Sequence, residues 1–525
     1  MSWADSLVVP LFLLCFFYVA RKFIEFQRSV RQINGWPGFR TLFNETFIFF
    51  PFAARGISPG PQRSFFTKHS DFAQAGWDVL SAVSAFPRAK INYYIADAAV
   101  IQEILGARAR FPKPTEAYQL LAAFGSNILV TEGDVWKRQR KIAAPAFSER
   151  NNRLVWDETI NIVENMVQNV WGDKDVVEVG HILDMTVGIT QLVISVAAFG
   201  RRIWWNEDNV ARAGHTMTFK EALYDVSHNL FLRILFPPWL LRYGTSRMRR
   251  FATAYSEMDA YLKEMVQERR SATYKEARYD LFTNLLDANE GEADSKAKLT
   301  DSELLGNVFI YLVAGYETSA HTLSYAFIFL ALYQDEQEKL YENIKSVLPD
   351  GRTPTYDEMG SLSYAMAVFN ETLRHFPPVS GIPKQSAEDT SFTTTSAAGE
   401  KATFAVPRGA HLTLCTRALH YNPRYWDDPE EFRPARFLGN YPREAFIPFS
   451  GGPRGCIGRG FAETESVAML TAVIMRYKVE VCEEPQFAGE TFAQRRARLL
   501  KSKSMLTVYP ERAPLNFKRR TPKSA

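Results

Sequence analysis

The chain has 525 residues, which is enough for one large enzyme fold or for several smaller domains. A hydrophobic fraction of 46% and a charged fraction of 23% are typical of a packed globular protein and exclude a largely disordered chain. The net charge of +4 does not indicate a nucleic-acid-binding protein, and the four cysteines, none of them in a C-x-x-C pair, argue against a disulfide framework or a zinc site.

An apolar run, WADSLVVPLFLLCFFYVA, opens the chain from Trp3 to Ala20. As a helix it would be roughly 27 Å long, close to the thickness of the hydrocarbon core of a bilayer. Arg21 and Lys22 follow the run, which predicts that the rest of the chain lies on the cytoplasmic side. The alternative, a cleaved signal peptide, would need a basic residue before the run and a small-residue cleavage site after it. We therefore expect a retained transmembrane anchor at residues 1–22.

The segment after the anchor, residues 23–62, contains NGWPG and SPGPQ, which predict a turn-rich linker close to the membrane. INYYIA, at residues 91–96, then predicts a strand, and Asp97 is placed to cap the helix that follows. From there to about residue 375 the pattern is predominantly helical. The main body, residues 63–512, is therefore expected to be mainly α with small β-sheets (α+β).

The longest predicted helix runs from Thr300 to Asp335 without a proline. Thr300 and Glu303 have the spacing of a capping box, in which each side chain bonds to the backbone N–H of the other. The segment is apolar on nearly all sides, so it is expected to run through the middle of the protein. Its central stretch, AGYET, contains Gly315, and a glycine inside a helix costs about 1 kcal/mol relative to alanine, which indicates a specific reason for it.

After residue 380 the pattern changes to short β-like pieces, TFAVP and HLTLCTRAL, and then to a proline-rich irregular stretch. A glycine-rich loop, FSGGPRGCIG from Phe449 to Gly458, comes next, and a last long helix follows it. The basic tail, residues 513–525, is expected to be a solvated end.

Cys456 is the single cysteine of this loop, and it has three interpretations. It is a buried apolar thiol, a catalytic nucleophile whose base has no recognisable signature here, or a thiolate ligand of a metal. The surrounding glycines would let backbone N–H groups point at the sulfur, and the next helix would bring its positive N-terminal end. One thiolate is too few ligands for zinc or an iron–sulfur cluster, but it is enough for haem, whose porphyrin supplies four.

At this loop the chain resembles the cytochrome P450 haem-thiolate monooxygenases, and in particular membrane-anchored microsomal members from fungi. The family pattern F-x-x-G-x-R-x-C-x-G is met by Phe449, Gly452, Arg454, Cys456 and Gly458. The resemblance covers nearly all of the chain after about residue 35. It implies the cytochrome P450 fold, in which a long central helix lies over the haem.

Two further motifs carry the same resemblance. Glu371 and Arg374 in ETLR resemble the family's E-x-x-R, and Arg436 in PEEFRPARF resembles the third member of a buried structural triad. An ordinary helical ion pair is the alternative for the first two residues. Trp136 and Arg140 in WKRQR match the family's W-x-x-x-R.

The resemblance implies haem b as the cofactor, with Cys456 as the axial ligand of the iron. Trp136, Arg140 and Arg454 would meet the haem propionates. Lys384 stands where many relatives carry an arginine near a propionate, which puts that one contact in doubt. The full set of implied cofactor-binding positions is Trp136, Arg140, Gly315, Phe449, Gly452, Arg454 and Gly458.

The resemblance also implies how oxygen is activated. Glu317 and Thr318 would deliver protons to the dioxygen that binds at the haem. The chain has no flavin-type or dinucleotide-type glycine fingerprint, so its electrons must come from another protein. By resemblance this partner is NADPH–cytochrome P450 reductase, and the implied location is the endoplasmic reticulum membrane, single-pass, with the catalytic body in the cytoplasm.

The predicted function is insertion of one oxygen atom from dioxygen into an apolar small molecule that partitions from membrane lipid. A terpenoid or another fungal secondary metabolite is the expected substrate class, and a detoxifying, fatty-acid or sterol hydroxylase is the alternative within the family. A reductase-independent haem-thiolate isomerase usually has a degraded acid–threonine pair, whereas Glu317 and Thr318 are both present. A non-enzymatic haem-binding or redox-sensing protein would need no such pair. No nucleic-acid partner is expected.

Overall fold

The computed structural model describes residues 3–45, 53–60, 62–200, 205, 211–271, 280–291, 298–504 and 506–520. These residues are mainly helical and include small β-sheets, which confirms the predicted fold class at that level. Part of the predicted linker, residues 46–52 and 61, lies outside the described residues.

The helices carry the labels used below. They are α1 (Trp3–Gln32), α2 (Arg63–Thr67), α3 (Ser70–Ala75), α4 (Ala98–Gly106), α5 (Gly133–Ala143), α6 (Glu149–Asn165), α7 (Ile182–Ala197), α8 (Phe219–Asn229), α9 (Leu232–Leu235), α10 (Pro238–Tyr243), α11 (Ser246–Ser271), α12 (Leu281–Gly291), α13 (Asp301–Leu332), α14 (Gln334–Val347), α15 (Ser363–His375), α16 (Thr416–His420), α17 (Arg459–Ile474) and α18 (Phe492–Leu499).

The strands are short and are numbered in the same way. They are β1 (Gly38–Phe43), β2 (Val79–Phe86), β3 (Lys90–Ile95), β4 (Val176–Val179), β5 (Gly381–Gln385), β6 (Thr390–Thr395), β7 (Lys401–Val406), β8 (His411–Cys415), β9 (Tyr477–Val481), β10 (Ser502–Ser504), β11 (Val508–Pro510) and β12 (Leu515–Arg519).

The chain divides into two compact units. The first consists of Met1–Pro114, Val379–Glu431 and Pro442–Cys456, and the second of Thr115–Pro378, Phe432–Tyr441 and Ile457–Ala525. Each sheet is formed by strands of one unit only.

The first unit contains a sheet with the strand order β1–β2–β3–β8–β5 and a hairpin of β6 and β7. The predicted strand INYYIA is confirmed as β3, which pairs antiparallel with β2 and parallel with β8. Tyr93, Tyr94 and Ile95 are all buried, as expected for a strand covered on both faces. The predicted cap is confirmed as well, because the Asp97 carboxylate accepts the N–H groups of Ala99 and Val100 at the start of α4.

The second unit is mostly helical, and α13 lies in its core. The predicted capping box at Thr300 and Glu303 is present, and the helix ends at Leu332 instead of Asp335, because Tyr333 adopts a non-helical conformation. α13 packs against α7 with the two helices antiparallel. The hydroxyls of Thr186 and Ser324 are 2.7 Å apart at one end of the contact.

The C-terminal tail differs from the prediction of a solvated end. Residues Leu515–Arg519 form β12, the middle strand of a sheet ordered β4–β12–β9. Leu515 and Phe517 are buried while Lys518 is exposed, so the strand has one apolar face directed into the core. The basic composition of the tail concealed this alternation. Residues 521–525 lie outside the described residues.

The N-terminal apolar run is helical, but its helix continues through the charged residues Arg21, Lys22, Glu25 and Arg28 to Gln32. Among the residues that the structure describes, no helix has both the length and the apolar character needed to cross a membrane. The transmembrane anchor predicted at residues 1–22 is therefore not found in the described part of the chain. Residues 1 and 2 lie outside the described part.

Candidate active site

The residues predicted to form the active site occur in both compact units. The first unit contains Phe449, Gly452, Arg454 and Cys456. The second unit contains the other predicted residues, namely Trp136, Arg140, Gly315, Glu317, Thr318, Glu371, Arg374, Arg436 and Gly458.

The glycine-rich loop is closed by its own backbone. The N–H of Cys456 donates to the carbonyl of Phe449 at 2.9 Å, and the N–H of Gly455 donates to the carbonyl of Gly452 at 3.0 Å. Gly452 has a φ of +60°, and a Cβ atom there would lie 2.3 Å from the carbonyl oxygen of Leu105 in α4. The loop can therefore approach α4 this closely only with glycine at position 452.

Cys456 is exposed, whereas Cys415 and Cys482 in the rest of the body are buried. Burial raises the pKa of the Cys415 thiol to about 12, and burial followed by the nearby Glu178 raises that of Cys482. These two sulfurs are held as thiols at neutral pH, and only a thiolate is a good metal ligand. Among the cysteines of the body, Cys456 is therefore the one suited to bind a metal.

Trp136 and Arg140 lie one turn apart on α5. The indole of Trp136 is buried and Arg140 is half-buried, so both side chains lie on the same face of the helix. The neighbouring Arg138 forms an ion pair with Glu303 and is not a free surface cation. A role of Trp136 and Arg140 toward haem propionates stays a prediction.

α13 has one accessible patch in an otherwise buried length. Every residue from Gly306 to Leu332 is buried except Ala314, Gly315 and Thr318. The Thr318 hydroxyl donates to the carbonyl of Ala314 at 2.8 Å, the usual back-bond of a helical threonine. A Cβ atom at Gly315 would lie 2.7 Å from Cδ1 of Ile194 in α7, which gives a packing reason for this glycine.

Glu317 is buried next to this patch. Its Oε1 accepts a hydrogen bond of 2.6 Å from the hydroxyl of Thr507, which is also 2.7 Å from Nδ1 of His321. Burial raises the pKa of Glu317 to about 7, although the Thr507 hydrogen bond lowers it. Thr507 and His321 were not among the residues predicted from the sequence. The i, i+4 spacing of Glu317 and His321 was a detectable signal, but no pattern linked them to Thr507.

Glu371, Arg374 and Arg436 are brought together by the structure. Nε and Nη2 of Arg374 donate to the two carboxylate oxygens of Glu371 at 2.7 and 2.8 Å, and Arg436 Nε is 3.4 Å from Oε1. The backbone N–H of Arg433 donates to the same oxygen at 2.9 Å, and Nη2 of Arg374 donates to Nε2 of His375 at 2.7 Å. Both additional groups are adjacent to the motifs in the sequence.

The protonation states of Glu371 and His375 follow from burial and from their contacts with Arg374. Burial alone would raise the pKa of Glu371, but the hydrogen bonds and the charge of Arg374 hold it at about 2. Burial and the charge of Arg374 lower the pKa of His375 to about 3, so its ring is neutral. A completely buried and fully paired carboxylate of this kind is structural, because it has no proton to exchange near neutral pH.

Gly458 and Lys384 are two further positions that the sequence analysis considered. A Cβ atom at Gly458 would lie 3.8 Å from the ring of Phe147, and α17 begins at the next residue, Arg459. Lys384 is buried in β5, opposite Leu412 of β8. A propionate contact of Lys384 is not among the predictions, because lysine lacks the bidentate fork of arginine.

Comparison with known proteins gives concordant results. Residues 82–504 match the sequence model of the family described as cytochrome P450. Cytochrome P450 monooxygenase 124 of Postia placenta is 56% identical over 506 residues, which make up 95% of this chain and 97% of that protein. Cytochrome P450 monooxygenase ORF6 of Penicillium roqueforti is 28% identical over 436 residues, 74% of each chain.

Among solved structures, the cytochrome P450DA heme domain is similar, with a TM-score of 0.73. The alignment covers 92% of this chain and 99% of that domain at 21% sequence identity. At this identity the similarity establishes a shared fold and does not extend to substrates.

Proposed function

Because the chain belongs to the cytochrome P450 family and is a cytochrome P450 monooxygenase, we propose that it hydroxylates an apolar small molecule, namely a terpenoid or another fungal secondary metabolite. The observation that carries the proposal is the accessible patch of Ala314, Gly315 and Thr318, directly beside the buried acid Glu317, in the otherwise buried α13. This patch combines small apolar groups, one hydroxyl and one ionisable carboxyl, as oxygen activation next to an apolar substrate requires.

Haem b is the cofactor of this family, and its electrons come from NADPH through a reductase. When bound, haem supplies the redox chemistry that activates dioxygen. The residues fit this group, since Cys456 is an accessible cysteine in a loop that accepts only glycine at position 452. Cys456 would provide the axial thiolate. Trp136, Arg140 and Arg454 would hold the propionates, and the glycines of the pattern, together with Phe449, would allow close contact.

Glu317 would act as the acid of the reaction. A carboxyl group with a pKa of about 7 is present in both protonation states at neutral pH, so it can accept a proton and return it. The Thr318 hydroxyl has one hydrogen, which is donated to the Ala314 carbonyl. Its oxygen can still accept a hydrogen bond from the accessible side, and rotation of the hydroxyl away from Ala314 would let it donate a hydrogen bond there.

The proposed electron donor is NADPH–cytochrome P450 reductase. The absence of a nucleotide-binding fingerprint from the sequence supports a separate donor. We expect product formation in a reconstituted mixture to require this reductase together with NADPH.

The proposed location is the endoplasmic reticulum membrane. It is supported by the exposed apolar side chains of α1, which include Phe12, Leu14, Phe16, Phe17 and Phe23. A contiguous apolar surface of this kind binds the membrane interface. The full chain is expected in the microsomal fraction, and replacement of Phe16 and Phe17 by aspartate should release it. Recovery of the unaltered chain outside the membrane fraction would contradict the proposal.

The function is tested by comparing metabolites of the native host with and without the gene. If the deletion strain accumulates a compound one oxygen atom lighter than the product it loses, the chain is a monooxygenase with that substrate. Accumulated and lost compounds of equal mass would instead support a haem-thiolate isomerase. A lost product that is not a terpenoid or other secondary metabolite would refute the proposed substrate class.

The role of Thr318 has a matched control on the same helix. Thr322 lies one turn later and makes the same back-bond, donating to the carbonyl of Thr318 at 2.9 Å, but it is buried. We predict that Thr318→Ala diverts NADPH electrons to hydrogen peroxide and lowers product yield, whereas Thr322→Ala keeps wild-type coupling. The ratio of product to NADPH consumed is the measurement, and equal ratios for both variants would remove Thr318 from proton delivery.

A further inference from the structure

Glu317, Thr507 and His321 form a continuous hydrogen-bonded chain inside the second unit. The Thr507 hydroxyl oxygen lies 2.6 Å from Glu317 Oε1 and 2.7 Å from His321 Nδ1. The exposed fractions of the three residues are 5%, 4% and 3% respectively, so bulk water does not compete for these bonds.

Local structure fixes the three groups relative to one another. Glu317 and His321 lie one turn apart on α13, and Thr507 lies in the connection between β10 and β11. The Tyr325 hydroxyl of α13 donates to Ser502 of β10 at 2.7 Å, and the rings of His321 and Tyr509 are 5.3 Å apart. These contacts hold the β10–β11 hairpin against the helix.

The single hydroxyl hydrogen of Thr507 forces the two hydrogen bonds to run in one direction. When Glu317 is ionised, Thr507 donates to the carboxylate and must accept a hydrogen from Nδ1 of His321. When Glu317 is protonated, its O–H can donate to Thr507, which then donates to Nδ1, and the ring hydrogen must be on Nε2. In each state both hydrogen bonds of Thr507 are formed.

We propose that Thr507 and His321 extend the acid Glu317 into a proton wire, in which protonation of Glu317 is coupled to a change of the His321 ring from the Nδ1–H to the Nε2–H tautomer. Thr507 and His321 are positioning residues, because they act through Glu317. The proposal deepens the proposed function and rests on it for the use of the proton.

The transfer balances, because one proton enters at His321 and one proton becomes bound to Glu317. A proton from water binds Nε2 of His321 while the Nδ1 proton passes to the Thr507 oxygen and the Thr507 hydrogen passes to Glu317. The ring is neutral before and after, and the carboxylate becomes a carboxylic acid. No electron moves, and no bond other than those to hydrogen changes.

The electrostatic surroundings favour this neutral ring. Burial and then the charge of His228 on α8 lower the pKa of His321 to about 3, which makes an imidazolium costly. The titratable groups that face the chain are Tyr316 of α13, Tyr509 of β11 and His228 of α8. Both tyrosines keep their protons, since burial raises their pKa values.

The test uses holoenzyme labelled with ¹⁵N at histidine, in the reduced carbon monoxide complex, which is diamagnetic. The ring nitrogen shifts of His321, assigned with His321→Gln, should change tautomer with a midpoint near pH 7. The infrared band of the Glu317 carboxyl, identified by its loss in Glu317→Gln, should titrate with the same midpoint. A His321 tautomer that stays constant while the Glu317 band titrates would overturn the proposal.

Two variants at Thr507 distinguish the effect of the hydroxyl group from the effect of side-chain volume. Thr507→Val keeps the shape and should uncouple the two titrations, raising the Glu317 midpoint by about one to two pH units because a hydrogen bond to the carboxylate is lost. Thr507→Ser keeps the hydroxyl and should retain both midpoints. The carbon monoxide spectrum verifies that each variant is folded. Identical titrations for the valine and serine variants would also overturn the wire.

Turnover measurements distinguish failure of the wire from failure of the function. We expect Thr507→Val and Glu317→Gln to lower the ratio of product to NADPH consumed, and Thr507→Ser to keep it. Suppose that Glu317→Gln keeps the wild-type ratio of product to NADPH, while in the unaltered protein the His321 tautomer follows the Glu317 band. The proposed acid role of Glu317 is then wrong, and the proton wire is retained. If the tautomer does not follow the band, the wire is wrong whatever the turnover result.

Discussion

Three buried glutamates have different pKa values because their neighbours differ. Glu371 is paired with Arg374 and has a pKa of about 2, so it stays ionised. Glu317 accepts one hydrogen bond from Thr507 and has a pKa of about 7. Glu465 on α17 has no hydrogen-bond partner for either oxygen among the described residues, and burial raises its pKa to about 8 despite the nearby Ser319. The hydrogen-bond partners therefore decide the state of each carboxyl group: Glu371 is ionised and structural, Glu317 can exchange its proton, and Glu465 is neutral at pH 7.

The unpaired Glu465 predicts a pH-dependent penalty on stability. Its pKa is raised from 4.5 to about 8 in the folded protein, so the unfolded state loses its proton first as the pH rises. The penalty is absent below pH 4.5, grows from there to pH 8, and reaches on the order of 5 kcal/mol. We predict that Glu465→Gln becomes progressively more stable than wild type between pH 5 and 8, as measured by denaturant unfolding. Parallel curves for the two proteins would contradict this.

The assignment of Cys456 as the iron ligand can be tested by a single substitution. Cys456→Ser should abolish the thiolate-type absorption of the reduced carbon monoxide complex, because serine is not a thiolate donor. Cys482→Ser is the control, since that thiol is buried and its pKa is raised. If Cys456→Ser kept the thiolate-type spectrum, another residue would have to be the ligand.

At the scale of elements, α13 depends on close approaches that only glycine allows. A Cβ atom at Gly306 would lie 2.5 Å from the carbonyl oxygen of Gly125, in the segment that precedes α5. Gly125 itself has a φ of +137°, and a Cβ atom there would lie 1.9 Å from the carbonyl oxygen of Ser302. Asn307 strengthens the same contact, because its side-chain oxygen accepts the N–H of Ile128 at 3.0 Å. Helix and loop thus form one rigid contact near the start of α13.

This contact makes Gly306→Ala destabilising, although alanine is the better helix former by about 1 kcal/mol. The new methyl group would collide with backbone atoms that cannot rotate away, so we predict a loss of about 1–3 kcal/mol in the free energy of unfolding. Gly106→Ala at the end of α4, where no atom lies within 4 Å of the added Cβ, is the control and should change stability little. A gain in stability for Gly306→Ala would show that the loop moves freely away from α13.

At the scale of the molecule, distant parts of the sequence complete one another inside the second unit. β12 lies between β4 and β9, so residues 515–519 join segments near residues 176–179 and 477–481 into one sheet. Phe517 of β12 packs against Trp171 and Phe327, with ring centroids 5.0 and 6.0 Å apart. The last strand therefore completes a core whose other residues come from earlier segments of the chain.

Truncation of Phe517 should reveal this long-range role. Phe517→Ala removes a completely buried ring, so we predict a loss of about 3–5 kcal/mol in the free energy of unfolding. Lys518→Ala, at an exposed position of the same strand, should change it by less than about 0.5 kcal/mol. Chemical denaturation of both holoenzyme variants is the measurement. Equal effects would mean that β12 contributes no core packing.

The sequence by itself determined the features that depend on local spacing. It predicted the mainly α fold class, the strand at 91–96, the Asp97 cap, the capping box of α13 and the family to which the chain belongs, because each depends on residues close together in the chain. The roles of Cys456, Glu317, Thr318 and the other candidate site residues stay predictions from the resemblance.

Only the tertiary structure decided which distant groups meet. It placed Thr507 against Glu317 and His321, left Glu465 without a hydrogen-bond partner among the described residues, and made the basic tail a central strand. Contacts across nearly two hundred residues leave no periodic pattern in the sequence, and a carboxyl group's pKa depends on burial and partners that packing alone supplies.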